Sequence, residues 1–228
     1  MKTKELARNI SIGDDVVLVD PEEDNHPMAI LTVAEKYSPD REFECRHVFG
    51  TTEEEHPGVH RVINQESVNL GGQLMVFDEG GFPNAFKDLY LRPLESRDLF
   101  QELGWSEVTA FQTRNPMHRA HRELTVRAAQ EIGGNLLIHP VVGMTKPGDV
   151  DYFTRVRCYN KIIEKYPDNS AILSLLPLSM RMAGPREALW HALIRKNYGC
   201  THIIVGRDHA GPGNDENGNP FYGPYDAQ

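Results

Sequence analysis

The run Gln112-Thr113-Arg114-Asn115-Pro116-Met117-His118-Arg119-Ala120-His121-Arg122-Glu123-Leu124 crowds amide, hydroxyl, guanidinium and imidazole groups into one short stretch. Val108, Ala110 and Phe111, just before it, read as the end of a buried strand. Asn115 suits the N-cap of a following helix, and Pro116 its first position. His118 and His121 are three apart, so they are predicted to share a helix face. That face lies by the helix N-terminus, where the macrodipole and unpaired N–H groups favour an anion. Arg114 and Arg119 add positive charge nearby. The expected product is a phosphate site for nucleotide chemistry. The competing reading is a metal pair, but the nearest cysteine is the distant Cys158 and there is no Cys-x-x-Cys. No metal ligands are therefore assigned.

Other strings bear on chemistry. Ile203-Ile204-Val205-Gly206-Arg207-Asp208-His209-Ala210-Gly211-Pro212-Gly213 runs a β-branched strand into a glycine that lets backbone approach a ligand, then into polar residues. Alone, this fits a solvated turn as well as a ligand loop. In Met180-Arg181-Met182-Ala183-Gly184-Pro185-Arg186-Glu187-Ala188, Pro185 opens a helix, and Glu187 is expected to pair locally with Arg186. His56-Pro57-Gly58 is turn chemistry. His139 ends a strand and is read as packed in preference to lining a site. Asp149 to Arg157, led by Lys146-Pro147-Gly148, is either a lid or an ordinary connector. His26, His47, His60, His191 and His202 make no case for function.

The elements that must position these residues fall into two textures. Residues 1–95 are read as a β-rich domain, with short strands at Asp15 to Val19, Met28 to Val33 and Gly71 to Phe77, and a less regular one at Glu42 to Phe49. Such strands with turn signals suggest a small barrel or sandwich. Pro93 to Asp98 is the expected junction, with Ser96 capping a helix to Leu103. Residues 96–228 alternate: strands at Trp105 to Gln112, Asn135 to Val142, Ala171 to Leu178 and His202 to Val205, and helices at Pro116 to Glu131, Asp151 to Tyr166 and Pro185 to Tyr198. This predicts a parallel α/β sheet with right-handed crossovers and ligands beyond the carboxyl ends of its strands.

Composition narrows the function class. The chain has 228 residues and 39% hydrophobic content, without an apolar run long enough to span a membrane. The start Met-Lys-Thr-Lys-Glu-Leu-Ala-Arg is no signal peptide. Cys45, Cys158 and Cys200 suggest no disulfide framework, and a cytoplasmic location is expected. The net charge is −9. Residues 1–98 carry 10 Lys and Arg against 20 Asp and Glu, which argues against a nucleic-acid surface. The charge runs Pro21 to Asp24 and Glu53 to Glu55 read as solvated loops.

The 112–124 string closely resembles the signature of ATP sulfurylases (sulfate adenylyltransferases). The Gly-Arg-Asp-His string at 206–209, Ala-Gly-Pro-Arg-Glu-Ala at 183–188 and Asn-Pro-Phe-Tyr-Gly-Pro-Tyr-Asp-Ala-Gln at 219–228 are similar to further strings of that family. The resemblance implies a Rossmann-like nucleotidyltransferase domain after a partial PUA-like domain. It implies the reaction of ATP with sulfate to give adenosine 5′-phosphosulfate and pyrophosphate. Gln112, Thr113, Arg114 and Asn115, with Gly206, Arg207, Asp208 and His209, would then hold ATP. Gln112, Arg114 and the backbone of Ala210 would hold sulfate. Thr113, Arg114, Asn115, His118 and His121 would act in catalysis, by positioning and charge stabilisation and without a covalent intermediate. Mg²⁺ would travel with ATP, and no covalent cofactor is implied.

Family members are longer, so the chain is expected to start partway into the first domain and to lack the end of the sheet and a C-terminal region. An unpaired edge strand, a mobile loop over Gly211 to Tyr225, and either self-association or dependence on the missing part are expected to follow. The sequence has no Gly-x-x-x-x-Gly-Lys-Ser/Thr string, hence no fused kinase module. Two alternatives stay open: a nucleotidyltransferase with another acceptor, and a non-catalytic nucleotide-binding subunit.

Overall fold

The computed structural model describes residues 9–78, 86–143 and 148–228. The chain divides into two compact units, residues 1–87 and 88–228. In the first unit, β1 (Asp15–Asp20) and β2 (His26–Tyr37) pair antiparallel, and β2 pairs antiparallel with β3 (Asn69–Val76). Asp24 and Asn25 both take left-handed backbone angles, φ 52° and 59°, to turn β1 into β2. Short polar residues tolerate that region best after glycine.

Two helices lie where sequence reading expected a strand and a turn. Glu42 to Phe49 belongs to α1 (Arg41–Val48) and its C-cap. Asp40 accepts the N–H of Phe43, Glu42 and Glu44 sit in the first turn, and Arg46 and His47 sit in the last. Cys45 and Phe49, one helical turn apart, are the buried pair, so the period is 3.6 and not 2. His56-Pro57-Gly58 opens α2 (Pro57–Ile63). The His56 imidazole is fully buried, and its Nδ1 accepts the N–H groups of Gly58 (3.0 Å) and Val59 (3.4 Å). Histidine here does the work usually given to Ser or Asp. Among the described residues, three strands and two helices replace the expected barrel or sandwich, over a core of Ala29, Val33, Cys45, Phe49, Val59 and Val62.

The second unit opens with α3 (Pro93–Glu102), whose N-cap is Arg92 and not Ser96. The Glu95 carboxylate accepts the Arg92 N–H (2.7 Å). Ser96 is fully buried, and its hydroxyl donates to the Tyr198 carbonyl (2.7 Å). Strands then alternate with helices: β4 (Val108–Phe111), α4 (Arg119–Glu131), β5 (Asn135–Ile138), α5 (Tyr152–Ile163), β6 (Ala171–Leu173), α6 (Gly184–Asn197) and β7 (His202–Ile204). The sheet is parallel throughout, in the order β6-β5-β4-β7. β5 is shorter than expected because Pro140 supplies no N–H to the ladder, and β6 ends where the Leu175 N–H turns to the Leu89 carbonyl. Pairing resumes beyond Pro140, where Val141 bridges Leu176. Phe100, Trp105, Val108, Ala110, Leu137 and Cys200 fill one core cluster.

The strand order places β5 and β6 on one side of β4 and β7 on the other. The chain reverses direction across the sheet between β4 and β7, the switch point where open α/β sheets hold ligands. His139 lies in this core. It is fully buried against the ring of Tyr198, at 4.5 Å between centroids, and neither ring nitrogen has a hydrogen-bond partner among the described residues. Burial, with the Arg195 guanidinium second, holds it neutral well below its ordinary pKa.

Two outcomes follow from this packing. His56→Leu should lower stability by about 1 kcal/mol or more in urea unfolding through loss of the cap, and His56→Asn, which keeps an acceptor, should lose less. Equal losses would remove the capping role. A histidine buried neutral binds a proton on unfolding, so stability falls as pH drops below about 6.5, by about 1.4 kcal/mol per unit for each such group. His139→Leu should therefore gain on the parent protein between pH 7 and pH 5. Parallel pH–stability curves would contradict this.

Candidate functional site

A cavity of about 310 Å³ opens at the carboxyl ends of β4 and β7. One wall is Phe111 to Asn115, another is Gly206 to Ala210, and His121, Leu124, Met180 and Ile204 complete it. Thus the 112–124 and 206–213 strings, about ninety residues apart in the sequence, meet in one space. Gln112, Thr113, Arg114, Asn115, His121, Gly206, Arg207, Asp208, His209 and Ala210 all line it, whereas His118 does not.

The Gln112–Asn115 turn is held from beneath by residues the sequence did not single out. Arg155 on α5, buried, donates to the carbonyls of Arg114 (3.0 Å) and Val141 (2.9 Å). Tyr159, one turn on, donates its hydroxyl to the Asn115 carbonyl (2.9 Å). The Thr113 hydroxyl accepts the Asn115 N–H (3.1 Å). Arg195 on α6, only 1% exposed, donates to the Gln112 Oε1 (3.1 Å) and the His139 carbonyl (3.0 Å). Because Oε1 of Gln112 faces a guanidinium, its amide NH₂ must point the other way. Burial lowers the Arg195 pKa to about 10, so it remains a cation at neutral pH.

The helix start differs from the expected one. The N-cap of α4 is His118, not Asn115, and Pro116 precedes the helix. Nδ1 of His118 accepts the Ala120 N–H (3.3 Å), and Nδ1 of His121 accepts the His118 N–H (3.3 Å). This is a capping box built from two imidazoles in place of Ser and Glu. Its chemistry fixes the tautomers. Each Nδ1 must keep its lone pair, so each neutral ring carries its proton on Nε2. The rings lie 4.1 Å apart, and burial, then His118, lowers the His121 pKa. His121 is therefore a neutral donor at the cavity wall.

Nη1 of Arg114 donates to both carboxylate oxygens of Asp149 (2.8 and 2.7 Å). Its Nε and Nη2 make no hydrogen bond among the described residues. Asp149 thus faces this arginine, Asp151 caps α5 through the Thr154 N–H, and Arg155 is the buried anchor. Lys146 and Pro147, which lead into that stretch, lie outside the described residues.

On the other wall, Asp208 and Ala210 hold left-handed angles, φ 51° and 57°. For alanine this conformation is strained. Beside it, a Cβ at Gly211 would displace the Asp208 carboxylate from its present position. The Ala210 carbonyl accepts the Gly184 N–H (3.2 Å), and the Asp208 N–H donates to the Pro224 carbonyl (2.8 Å). Residues past 211 also fold back here, with Gln228 Nε2 donating to the Val205 carbonyl (3.1 Å).

Glu187 does not pair with Arg186. It is 1% exposed and accepts the N–H groups of Arg181 and Ala183, both at 2.9 Å. Burial alone would raise its pKa, but the neighbouring His191 and these two N–H groups outweigh that and hold it below the ordinary value. His191, which made no case in the sequence, is fully buried beside it and hydrogen-bonds His209. The signal was present: Glu187, His191 and Arg195 recur every four residues on the buried face of α6. Charged residues on a core-facing stripe are seldom idle.

Residues 87–228 match the family model for ATP-sulfurylase, and residues 2–79 match that for a PUA-like domain. The sulfate adenylyltransferase of Schizosaccharomyces pombe is 55% identical over 229 residues, covering 97% of this chain and 45% of that protein. That of Neurospora crassa is 57% identical over 206 residues, covering 90% and 36%. The chain spans less than half the length of these curated relatives. Among solved structures, a hexameric APS kinase from Thiobacillus denitrificans superposes with a TM-score of 0.68 at 28% identity, over 91% of this chain and 36% of that one.

Proposed function

Since this chain belongs to the ATP-sulfurylase family, we propose that its β4–β7 cavity joins sulfate to the adenylyl group of ATP. A sulfate oxygen attacks the α-phosphorus, the bond between the α-phosphorus and the bridging oxygen breaks, and pyrophosphate leaves with the bridging oxygen. The observation that carries this reading is the meeting of Gln112, Arg114, His121 and the Gly206–Ala210 loop around one cavity.

Three groups suit sulfate. Arg114 keeps Nε and Nη2 for an anion while Nη1 is engaged by Asp149. The Gln112 NH₂ is pre-aimed by Arg195. The Ala210 N–H lies in a strained turn on the facing wall. These are charge-assisted or preorganised donors, which lose little on ordering. Thr113, Asn115 and the start of α4 suit the phosphates, where the helix dipole favours negative charge. Nε2–H of His121, with His118 beside it, would meet charge building on the leaving pyrophosphate. Gly206, Arg207, Asp208 and His209 would hold the nucleotide. Among the described residues, Asp208 is the one acidic side chain on the cavity wall, so Mg²⁺ would be held mainly by phosphate oxygens and water, where it would neutralise phosphate charge. Unpaired Cys45, Cys158 and Cys200 suit a reducing compartment such as the cytoplasm. The proposal extends to self-association of the chain, which light scattering would reveal.

The test is pyrophosphate release from ATP, with and without sulfate, in a protein of family length carrying this sequence. Release without a sulfate requirement would favour a different acceptor. In that protein Arg114→Ala should raise the sulfate requirement and cut turnover by about tenfold or more, with ATP binding little changed. Unaltered sulfate dependence would sink the role given to Arg114. His121→Ala should lower kcat far more than it raises the KM for ATP, because its contribution grows as charge develops. A shift confined to KM would make it a ground-state contact only.

A further inference from the structure

Behind the cavity wall, two side chains that the proposed reaction does not use directly, Glu187 and His191, form a line to His209. Glu187 sits at its inner end, fully desolvated, with both oxygens engaged by backbone N–H groups. Nε2 of His191 lies 3.3 Å from Glu187 Oε1, within ion-pair distance but off the line of a hydrogen bond. Nδ1 of His191 is 3.0 Å from Nε2 of His209. His209 is 9% exposed and borders the cavity. Its Nδ1 has no hydrogen-bond partner among the described residues.

Proton placement follows from the carboxylate outward. Two backbone N–H groups donate to Glu187, so it is an acceptor on both oxygens. A lone pair on His191 Nε2 facing that carboxylate would be repelled, whereas an N–H there is attracted. A neutral His191 that carries its proton on Nε2 has only a lone pair at Nδ1. The short contact to His209 then requires the N–H to come from His209 Nε2. His209 is left with an unprotonated Nδ1. Burial, then His191 and Arg195, push its pKa down to about 4, and burial likewise lowers that of His191, so both rings are neutral at pH 7.

We propose that Glu187 and His191 are positioning residues that hold His209 as its Nε2–H tautomer, so that Nδ1 accepts a hydrogen bond from the nucleoside end of a bound nucleotide. Phosphate and sulfate offer acceptors at neutral pH, and a ring lone pair repels them. Ribose hydroxyls and an adenine amino group offer donors. In a cavity whose other polar side chains are mostly donors, this nitrogen tells nucleoside from oxyanion. The inference rests on the nucleotide reading above, but the relay itself is measurable without any ligand.

The experiment is ¹⁵N NMR of the imidazole nitrogens of this chain at pH 7.5, joined to calorimetric binding of ATP and of pyrophosphate. In the parent chain, His209 should be neutral with its proton on Nε2. His191→Phe keeps the ring volume and removes the acceptor. The tautomer preference should vanish, and ATP should bind about tenfold more weakly while pyrophosphate binds as before. His191→Asn puts a carbonyl oxygen near the former Nδ1, so it should restore the tautomer and bring ATP affinity to within about threefold of the parent. A parent His209 protonated on Nδ1, or a His191→Phe chain with the parent tautomer and ATP affinity, overturns the proposal. If His191→Phe does not fold, the parent spectrum and His191→Asn still decide it. If a protein of family length carrying this sequence binds no ATP while the parent chain shows the expected tautomer, the nucleotide reading fails and the relay stands.

Discussion

Arg195 is a cation sealed inside the second unit, with no carboxylate bonded to it among the described residues. Desolvating such a charge is costly, and carbonyl and amide oxygens must offset the cost. Here they are the carbonyl of His139, at the end of β5, and the side chain of Gln112, at the end of β4. Arg155 repeats the device from α5, on the carbonyls of Arg114 and Val141. Strand ends that leave a sheet have unpaired carbonyls, which in a buried setting must find donors. Two long guanidinium side chains supply them. The turn that presents Gln112 to Asn115 is thereby fixed from below, and its outward donors are left for a ligand.

The same solution explains the pattern of strain. Left-handed angles at Met182, Asp208 and Ala210 cluster on the side of the cavity opposite that turn. Gly184 and Ala210 are tied by a backbone hydrogen bond, so the strained loops brace each other. Strain of about 1–3 kcal/mol per residue persists only where surrounding contacts impose it. The rigid wall comes from buried arginines and the bent wall from interlocked turns, and both surround one space.

Much of this was legible in the sequence. Alternating apolar runs and amphipathic stretches from residue 105 onward showed a parallel α/β sheet, because each such strand is a short continuous apolar run closed by Gly or Pro. The site strings stood out through their resemblance to a family's strings, since the 206–213 run alone fits a solvated turn equally well, and residues of two of them line one cavity. What escaped had physical reasons. The helices at Arg41–Val48 and Pro57–Ile63 bury few apolar residues, and one is capped by histidine, so periodicity and cap signals were both weak. The cap at His118 was missed because Asn115 is a better N-cap by propensity, yet its N–H and carbonyl are engaged by Thr113 and Tyr159. Glu187 reads in sequence as a local partner of Arg186, and His191 and Arg195 draw no reading there, because spacing alone does not say which face of α6 is buried. Only tertiary packing turned that stripe inward.

β4 and β7 lie side by side, yet the residues they join are separated by 93 positions of chain. Closing so long a loop is entropically slow, and local contacts cannot reward it early. β4, β5 and β6 can zip together in sequence order, each crossover adding a neighbour to the last. β7 must instead return past all of them to the far side of β4. The cavity between β4 and β7 therefore does not exist in any partly folded form that lacks this final docking step. A ligand bound there spans the pairing with the longest sequence separation in the sheet, and so favours the state in which that seam is closed.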